Sequence, residues 1–432
     1  PAVTIVRPGE VMGRSGAIEV LVETPGGEQS RLDIFYEQEG NRRPLFTLDQ
    51  QAGSTLAQET SDRLRVTLPA TPREIPDMKS GPARIVVDAA RRTLRDLRTL
   101  ETNATREVRV QLEPPRLAVL STHHYINHGG SEFVVLRVTP AEAAAGVRVG
   151  DVEYPSFPGS AVGISGAGVR VAFYALLHDQ DLNAPMSVFA RDEAGNTASA
   201  PITSRVFPKA FRRSRIEVPD SFLQRVVPAI LENTPSFSAD TSTPEALVAA
   251  YVRINSELRK QNADQIAAFA KETVPEMLWR GPFQQLGGSQ VESAFADHRT
   301  YFHDGEEIDQ QVHLGFDLAV TAAVPVLAAA RGRVVHAGYL GIYGNCVILD
   351  HGLGVQSLYA HLSSIDVQTG DQLDQGATLG RSGMTGLAGG DHLHYSMLVN
   401  GRFVTPVEWW DTKWMQDRVF RKIREAGGTV PG

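Results

Sequence analysis

The chain has 432 residues, 42% of them hydrophobic and 21% charged, with a net charge of −8. At roughly 150 residues per domain it can hold two to four ordinary cores, which excludes wholesale disorder. No lysine-arginine block stands out, and no apolar run approaches the ~18 residues of a membrane span, so the expected partners include neither nucleic acid nor a bilayer crossed by these residues.

The chain begins at Pro1, without a methionine or a signal-like segment. An export signal or anchor is therefore expected outside these residues. Roughly the first 205 residues read as β: Ala17–Glu23, Arg84–Asp88, Glu107–Leu112 and Glu132–Thr139 are short, valine-rich runs bounded by turn residues. The pattern breaks at Pro114-Pro115, which divides a β-sandwich-like module over 1–113 from an Ig-like β-sandwich module over 114–207. In the second, Met186–Arg191 and the following Asp192–Asn196 read as a strand and its turn, with Gly195 free to take positive φ. Modules of this kind are spacers. Three histidines there, His123, His124 and His128, have no carboxylate at useful spacing and are expected in an exposed loop.

Residues 208–290 read as a helical linker or docking segment. Thr243-Pro244-Glu245 is a helix start, a threonine cap followed by proline at the first helical position. Leu247, Tyr251, Ile254 and Leu258 then recur at helical spacing and make one apolar face. Asp220–Glu232 and Ala263–Glu272 are further helices. Residues 291–411 return to β with dense glycine punctuation, and 412–432 form a closing helix and tail whose Trp414, Val419 and Ile423 dock on the protein. The single cysteine, Cys346, excludes an internal disulfide framework and reads as a core residue. It fits either a reducing compartment or an envelope protein that avoids cysteine.

Eight of the twelve histidines lie between His298 and His394. In a strand, residues two apart share a side, so His392 and His394 face one way while Leu393 and Tyr395 face the core. Two adjacent imidazoles invite a metal or a shared proton. His313 and Asp317 add a nitrogen and a carboxylate. Asp317 lies among apolar residues, so it is buried and needs a partner, for which a divalent cation is the obvious candidate. Catalytic zinc takes three protein ligands and leaves a position for water. His313, Asp317 and one member of the pair make that set. Which member is left open by the spacing. Alternation in Ser357–Leu362 puts Ser357, Tyr359 and His361 on one face; His361 and the second member of the pair can then supply a proton acceptor and donor. Gly380–Gly390 superficially resembles a phosphate cradle. No helix with a lysine follows it, so a turn-rich hairpin beside the site is expected. Asp391, before the pair, is expected to be solvated.

From about residue 295 to 410 the chain resembles the M23 family of zinc metallopeptidases, the LytM or lysostaphin-like domain. The resemblance rests on His-x-Gly-x-Asp at His313–Asp317, Tyr343-Gly344-Asn345, His351-Gly352, Tyr359-Ala360-His361, Gly383–Gly386 and His392-Leu393-His394, in that order. It implies that His313, Asp317 and His394 bind one zinc per chain. It makes His361 and His392 the unligated histidines that activate water and stabilise the tetrahedral intermediate.

The fold class expected is mainly β and multidomain: two sandwich modules, a helical linker and an antiparallel LytM-type peptidase domain. The function implied is a zinc-dependent endopeptidase that hydrolyses peptide cross-links of peptidoglycan, acting on stem peptides in the bacterial cell envelope, periplasmic or extracellular. The β modules offer surfaces to other envelope proteins. A rival within the family is a regulatory LytM-type factor that activates another cell-wall hydrolase while its own site is closed by residues 206–290. A rival of another class is a sugar-system phosphocarrier, which also pairs histidines but needs neither Asp317 nor a metal.

Overall fold

The computed structural model describes residues 1–25, 29–49, 53–93 and 98–429. Strands dominate, and no helix among the described residues is long and apolar enough to cross a membrane. Contacts divide the chain into two units. One comprises Pro1–Arg116 with Glu142–Ala144 and Ala190–Ser199; the other holds the rest.

The first unit stacks two sheets on one core. A four-stranded sheet runs in the order Ala2–Arg7, Gly16–Glu23, Arg63–Ala70, Thr55–Thr60. A five-stranded sheet runs Val11–Met12, Arg98–Val110, Gly81–Thr93, Gln29–Gln38, Asn41–Thr47. Alternation does the sorting: Ile18, Val20 and Val22 are buried in one cluster with Leu32, Ile34 and Val87 of the facing sheet, while the residues between them look outward. Further along, Met186–Arg191 is a strand and its turn carries Gly195 at φ +80°, as expected.

In the second unit, Ser131–Thr139 pairs antiparallel with Val169–Ala175, and most residues of both strands are buried. Phe173 lies 4.8 Å from Phe133 and 5.5 Å from Trp409, and Trp409 in turn meets Trp279 at 5.8 Å. This aromatic cluster joins three sequence-distant segments into one core. Helices run Asp220–Asn233, Pro244–Arg253 and Arg259–Phe269, the last two joined by a π turn over Ile254–Leu258. Thr243 caps the second as its sequence predicts, Oγ1 accepting from Ala246 N–H at 3.1 Å. Tyr251, Ile254 and Leu258 are buried and Leu247 half-buried. The third helix starts four residues earlier than expected because the π turn leads straight into it.

One reading is corrected here. His124 is not in an exposed loop. It lies on the strand His124–Asn127, 6% exposed, with Nε2 3.0 Å from the Ser121 carbonyl. What buries it is the C-terminal helical segment Thr412–Glu425, whose Trp414, Val419 and Ile423 are buried as expected. From that segment Lys422 Nζ donates to Glu132 Oε1 at 2.7 Å and to the Phe133 carbonyl at 2.8 Å, with both charged side chains 0% exposed. Removing one partner of such a pair leaves the other charge buried alone. Lys422→Met should therefore cost about 3–5 kcal/mol in chemical denaturation. Adding Glu132→Gln should recover part of that loss; no recovery would mean that the ion pair is not the source.

The principal sheet of the C-terminal region is antiparallel. Its order is Gln290–Ser293, Phe316–Ala319, Leu393–Val399, Val355–Leu362, Asn345–Asp350, Gly332–Tyr339, Gln372–Leu373, with Arg402–Val404 beside Leu393–Val399. A separate hairpin, Asp297–His303 with Glu306–His313, leads into the second of these strands. Cys346 is fully buried in this sheet. The candidate site lies where the three strands carrying Asp317, His394 and His361 run side by side.

Candidate metal centre

His313 ends the hairpin, and the chain turns through Leu314-Gly315 into the strand that carries Asp317. That strand pairs Asp317 directly opposite His394, and His394 is opposite Ala360 on its other side. Directly opposed residues share a face, so one face presents Asp317 and His394 together. Gly315 is required at the turn: a Cβ there would sit 2.6 Å from the His394 ring and from Ser396 Oγ. Gly315→Ala must push that ring aside. Misplacing a ligand is expected to lower metal affinity ~10–100-fold, read by chelator competition.

His361 reaches the site by a route that strict alternation misses. Ser357 and Tyr359 do share a face, their hydroxyls 2.9 Å apart, and Tyr359 meets Tyr395 edge-on at 5.3 Å on the side away from the cluster. Continued alternation puts His361 with them. Instead the register slips between Asn345↔Leu362 and Val347↔Tyr359, so Ala360 and His361 both oppose Cys346. His361 takes φ +63° in this bulge. Its ring is thereby brought to the other side, with centroids 4.9 Å from His392 and 5.7 Å from His394. A non-glycine residue held in the left-handed region is a local strain that bulges beside active sites commonly carry.

The five residues line one cavity of about 420 Å³, with Tyr343 and Arg299 on its border. Three atoms converge in it. His313 Nε2 and His394 Nδ1 each lie 2.9 Å from Asp317 Oδ1, and 3.0 Å from one another. The outer hydrogen bonds fix their protons. His313 Nδ1 donates to the Ala294 carbonyl at 3.2 Å, which leaves Nε2 as a lone pair. Ser396 Oγ donates to the Leu314 carbonyl at 2.8 Å, so it accepts from His394 Nε2–H at 3.0 Å and leaves Nδ1 as a lone pair. Two lone pairs and a carboxylate oxygen thus point at one another with no proton between them. That arrangement is repulsive without a cation. Ligands at 2.0–2.1 Å from zinc in a tetrahedron stand ~3.3 Å apart, close to the spacing here. These residues fit a zinc ion, and among the described residues they form the one group of three so placed.

Neighbouring charges tune the cluster. Burial opposes ionisation of Asp317, but the three imidazoles of His313, His392 and His394 around it outweigh burial and hold the carboxyl well below its usual range. Its second oxygen accepts from Arg299 Nη2 at 2.9 Å. Burial lowers His394 to about 4, so the imidazole is neutral and free to ligate at pH 7. Burial first, then the neighbouring His392 and His394, push His361 well below its ordinary value. His392 moves the other way: burial pulls it down, yet Asp317 raises it by more. His361 Nδ1 donates to the Thr385 carbonyl at 2.7 Å and His392 Nδ1 to the Gly390 carbonyl at 2.9 Å, which frees both Nε2 atoms for other partners.

Of the remaining C-terminal histidines, His298, His303, His336 and His351 lie outside the cavity lining. His351 is fully buried between the Arg331 carbonyl and Ser357 Oγ. Gly380–Gly390 is no cradle. Gly383 bridges His392 across an antiparallel hairpin whose loop borders the site. Asp391 is half-buried and not merely solvated: it accepts from Ser382 Oγ at 2.6 Å and Ala323 N–H at 3.1 Å, pinning that hairpin. Sequence reasoning also missed Arg299 and Ser396. Arg299 acts on Asp317 from the separate hairpin and Ser396 on His394 from two residues along the same strand, and only the demand of a buried carboxylate for a partner pointed to the first.

Residues 311–406 match the model of Peptidase family M23. A DD-carboxypeptidase/endopeptidase Mpg of Neisseria meningitidis serogroup B is 41% identical over 97 residues, 22% of this chain and 22% of that protein. The peptidoglycan DD-endopeptidase ShyA of Vibrio cholerae serotype O1 is 38% identical over 96 residues, again 22% of each. The chain thus spans about a fifth of the length of these curated relatives. A putative peptidase M23 from Pseudomonas aeruginosa covers 66% of this chain and 94% of its own at 20% identity and TM-score 0.39. The segment that matches the model of Peptidase family M23 holds every residue of the cluster.

Proposed function

We infer that the chain is a zinc-dependent endopeptidase that hydrolyses peptide cross-links of bacterial peptidoglycan in the cell envelope. The observation that carries this is the convergence of two imidazole lone pairs and one carboxylate oxygen within 3.0 Å of each other. The names of the relatives support this substrate: one is a DD-carboxypeptidase/endopeptidase and another a peptidoglycan DD-endopeptidase.

His313, Asp317 and His394 hold the metal, which when bound polarises a scissile carbonyl and makes water acidic near neutral pH. Arg299 fixes the second oxygen of Asp317, so that its first is presented to the cation. His361 and His392 stand beside it with both Nε2 atoms free of the carbonyls that hold Nδ1. One, neutral, would take the proton of the attacking water at Nε2 and pass it to the leaving amine; the other, when protonated, would hydrogen-bond the developing oxyanion through Nε2–H. The β modules 1–113 and 114–207 serve as spacers. Metal analysis should return one zinc per chain. Chelation should stop cleavage of a cross-linked peptide dimer, and zinc should restore it. Undiminished cleavage by metal-free protein refutes the reading.

The regulatory reading has one observation in its favour. The helical segment is seated against the site: Arg225 Nη2 donates to the Ala388 carbonyl at 2.8 Å, and Asn262 Oδ1 accepts from Ile342 N–H at 3.0 Å. If it closes the site, breaking those contacts with Arg225→Ala and Asn262→Ala should raise cleavage. An unchanged or lower rate leaves the segment as a wall of the substrate groove.

A further inference from the structure

A second cavity of about 650 Å³ adjoins the metal centre and is not used by it. Its walls include Val218, Phe222, Tyr251 and Tyr301, and it shares Arg259, Arg299, Leu387 and Gly389 with the metal-site cavity. The two cavities are therefore neighbours, within reach of one extended peptide.

The two shared arginines differ. Arg299 is committed to Asp317, and lies 3.5 Å from Asp297. Arg259 is half-buried and, among the described residues, forms an ion pair with no carboxylate. It is nonetheless held. At the end of the π turn its backbone N–H bonds the Ile254 carbonyl. The Asn255 carbonyl accepts from its guanidinium Nε at 2.9 Å, and Asn255 Oδ1 accepts from Nη2. Asn255 is itself fully buried and fixed by Asp309 at 2.7 Å. The acidic side chains bordering the two cavities, besides Asp317, are Glu217 and Glu292, both exposed; Glu217 pairs with Arg215 at 2.7 Å.

A guanidinium oriented by a neutral amide keeps unused N–H donors in a fixed plane, the geometry that takes a carboxylate. Apolar and aromatic walls suit the aliphatic part of an amino-acid residue better than an inorganic anion. We propose that Arg259 is a specificity-determining residue: it binds a carboxylate of the substrate peptide in this cavity, so the chain prefers acidic over amidated cross-linked peptides. This deepens, and rests on, the peptide-hydrolase reading.

The test is binding, kept separate from turnover. A fluorescently labelled D-alanine-cross-linked peptide dimer, and versions with its carboxylates amidated one at a time, are titrated into full-length zinc-loaded His392→Ala protein. Amidating one particular carboxylate should weaken binding about 10–100-fold. In the Arg259→Gln background that preference should fall to about onefold, and Arg259→Lys should restore part of it. An equal preference with and without Arg259, or none in its presence, overturns the proposal. Cleavage of the same dimers by the unmutated chain is followed in parallel. Failure to cleave any of them removes the function reading, while an Arg259-dependent preference in binding still upholds the subsite.

Discussion

Asp317→Ala should abolish zinc binding and with it all measurable cleavage. Both ligand histidines aim a lone pair at Asp317 Oδ1, and the carboxylate is the only negative charge among the three converging atoms. Without it two neutral imidazoles remain, and affinity should fall beyond the ~10–100-fold that loss of a ligand's outer hydrogen bond costs. Asp317→Asn is the stricter form of the experiment. It keeps the volume and an oxygen for Arg299 or for the metal, but not the charge. If metal analysis returned a full equivalent of zinc from Asp317→Ala, the ligand set proposed here would be wrong.

The second large effect separates chemistry from metal binding. His392→Ala and His361→Asn should each retain one zinc and lose about 10²–10⁴-fold in kcat, the range for removing a positioned proton-transfer group. Asparagine is chosen at 361 because the residue there sits at φ +63°, which asparagine tolerates better than alanine. Neither histidine belongs to the three converging atoms, and each is anchored by its own Nδ1–carbonyl bond. Simultaneous loss of zinc and rate would place one of them among the ligands. Retention of the full rate would remove it from the reaction.

Much of this site was legible in the sequence because its ligands come in short, fixed spacings. His313 and Asp317 flank one tight turn, and His392 lies two residues before His394, at the entry to the strand that carries it, so local geometry alone nearly assembles them. The helix at Thr243-Pro244 was legible for the same reason, its cap being a contact three residues long. What sequence could not supply was anything set by pairing at long range. The face of His361 depends on a bulge opposite Cys346, and period-two alternation has no means of showing a register slip. His124 is buried by a helical segment some 290 residues away, through Lys422 and Glu132. Asp391 reads as solvated beside glycines, yet it closes a hairpin onto Ser382 and Ala323. Arg259 lies on a helix whose face was assigned to packing; only the fold puts its guanidinium at the edge of the metal-site cavity.

Most direct is the muropeptide profile of purified cross-linked peptidoglycan after incubation with the zinc-loaded chain, with and without chelator, beside zinc-loaded His392→Ala. Cross-linked dimers should disappear and monomers accumulate with the unmutated chain alone, and chelator should stop it. The mass of the new ends then identifies the bond. Intact dimers after incubation with fully zinc-loaded protein, or equal release by His392→Ala, would contradict the claim that this cluster is a peptide-cleaving metal centre.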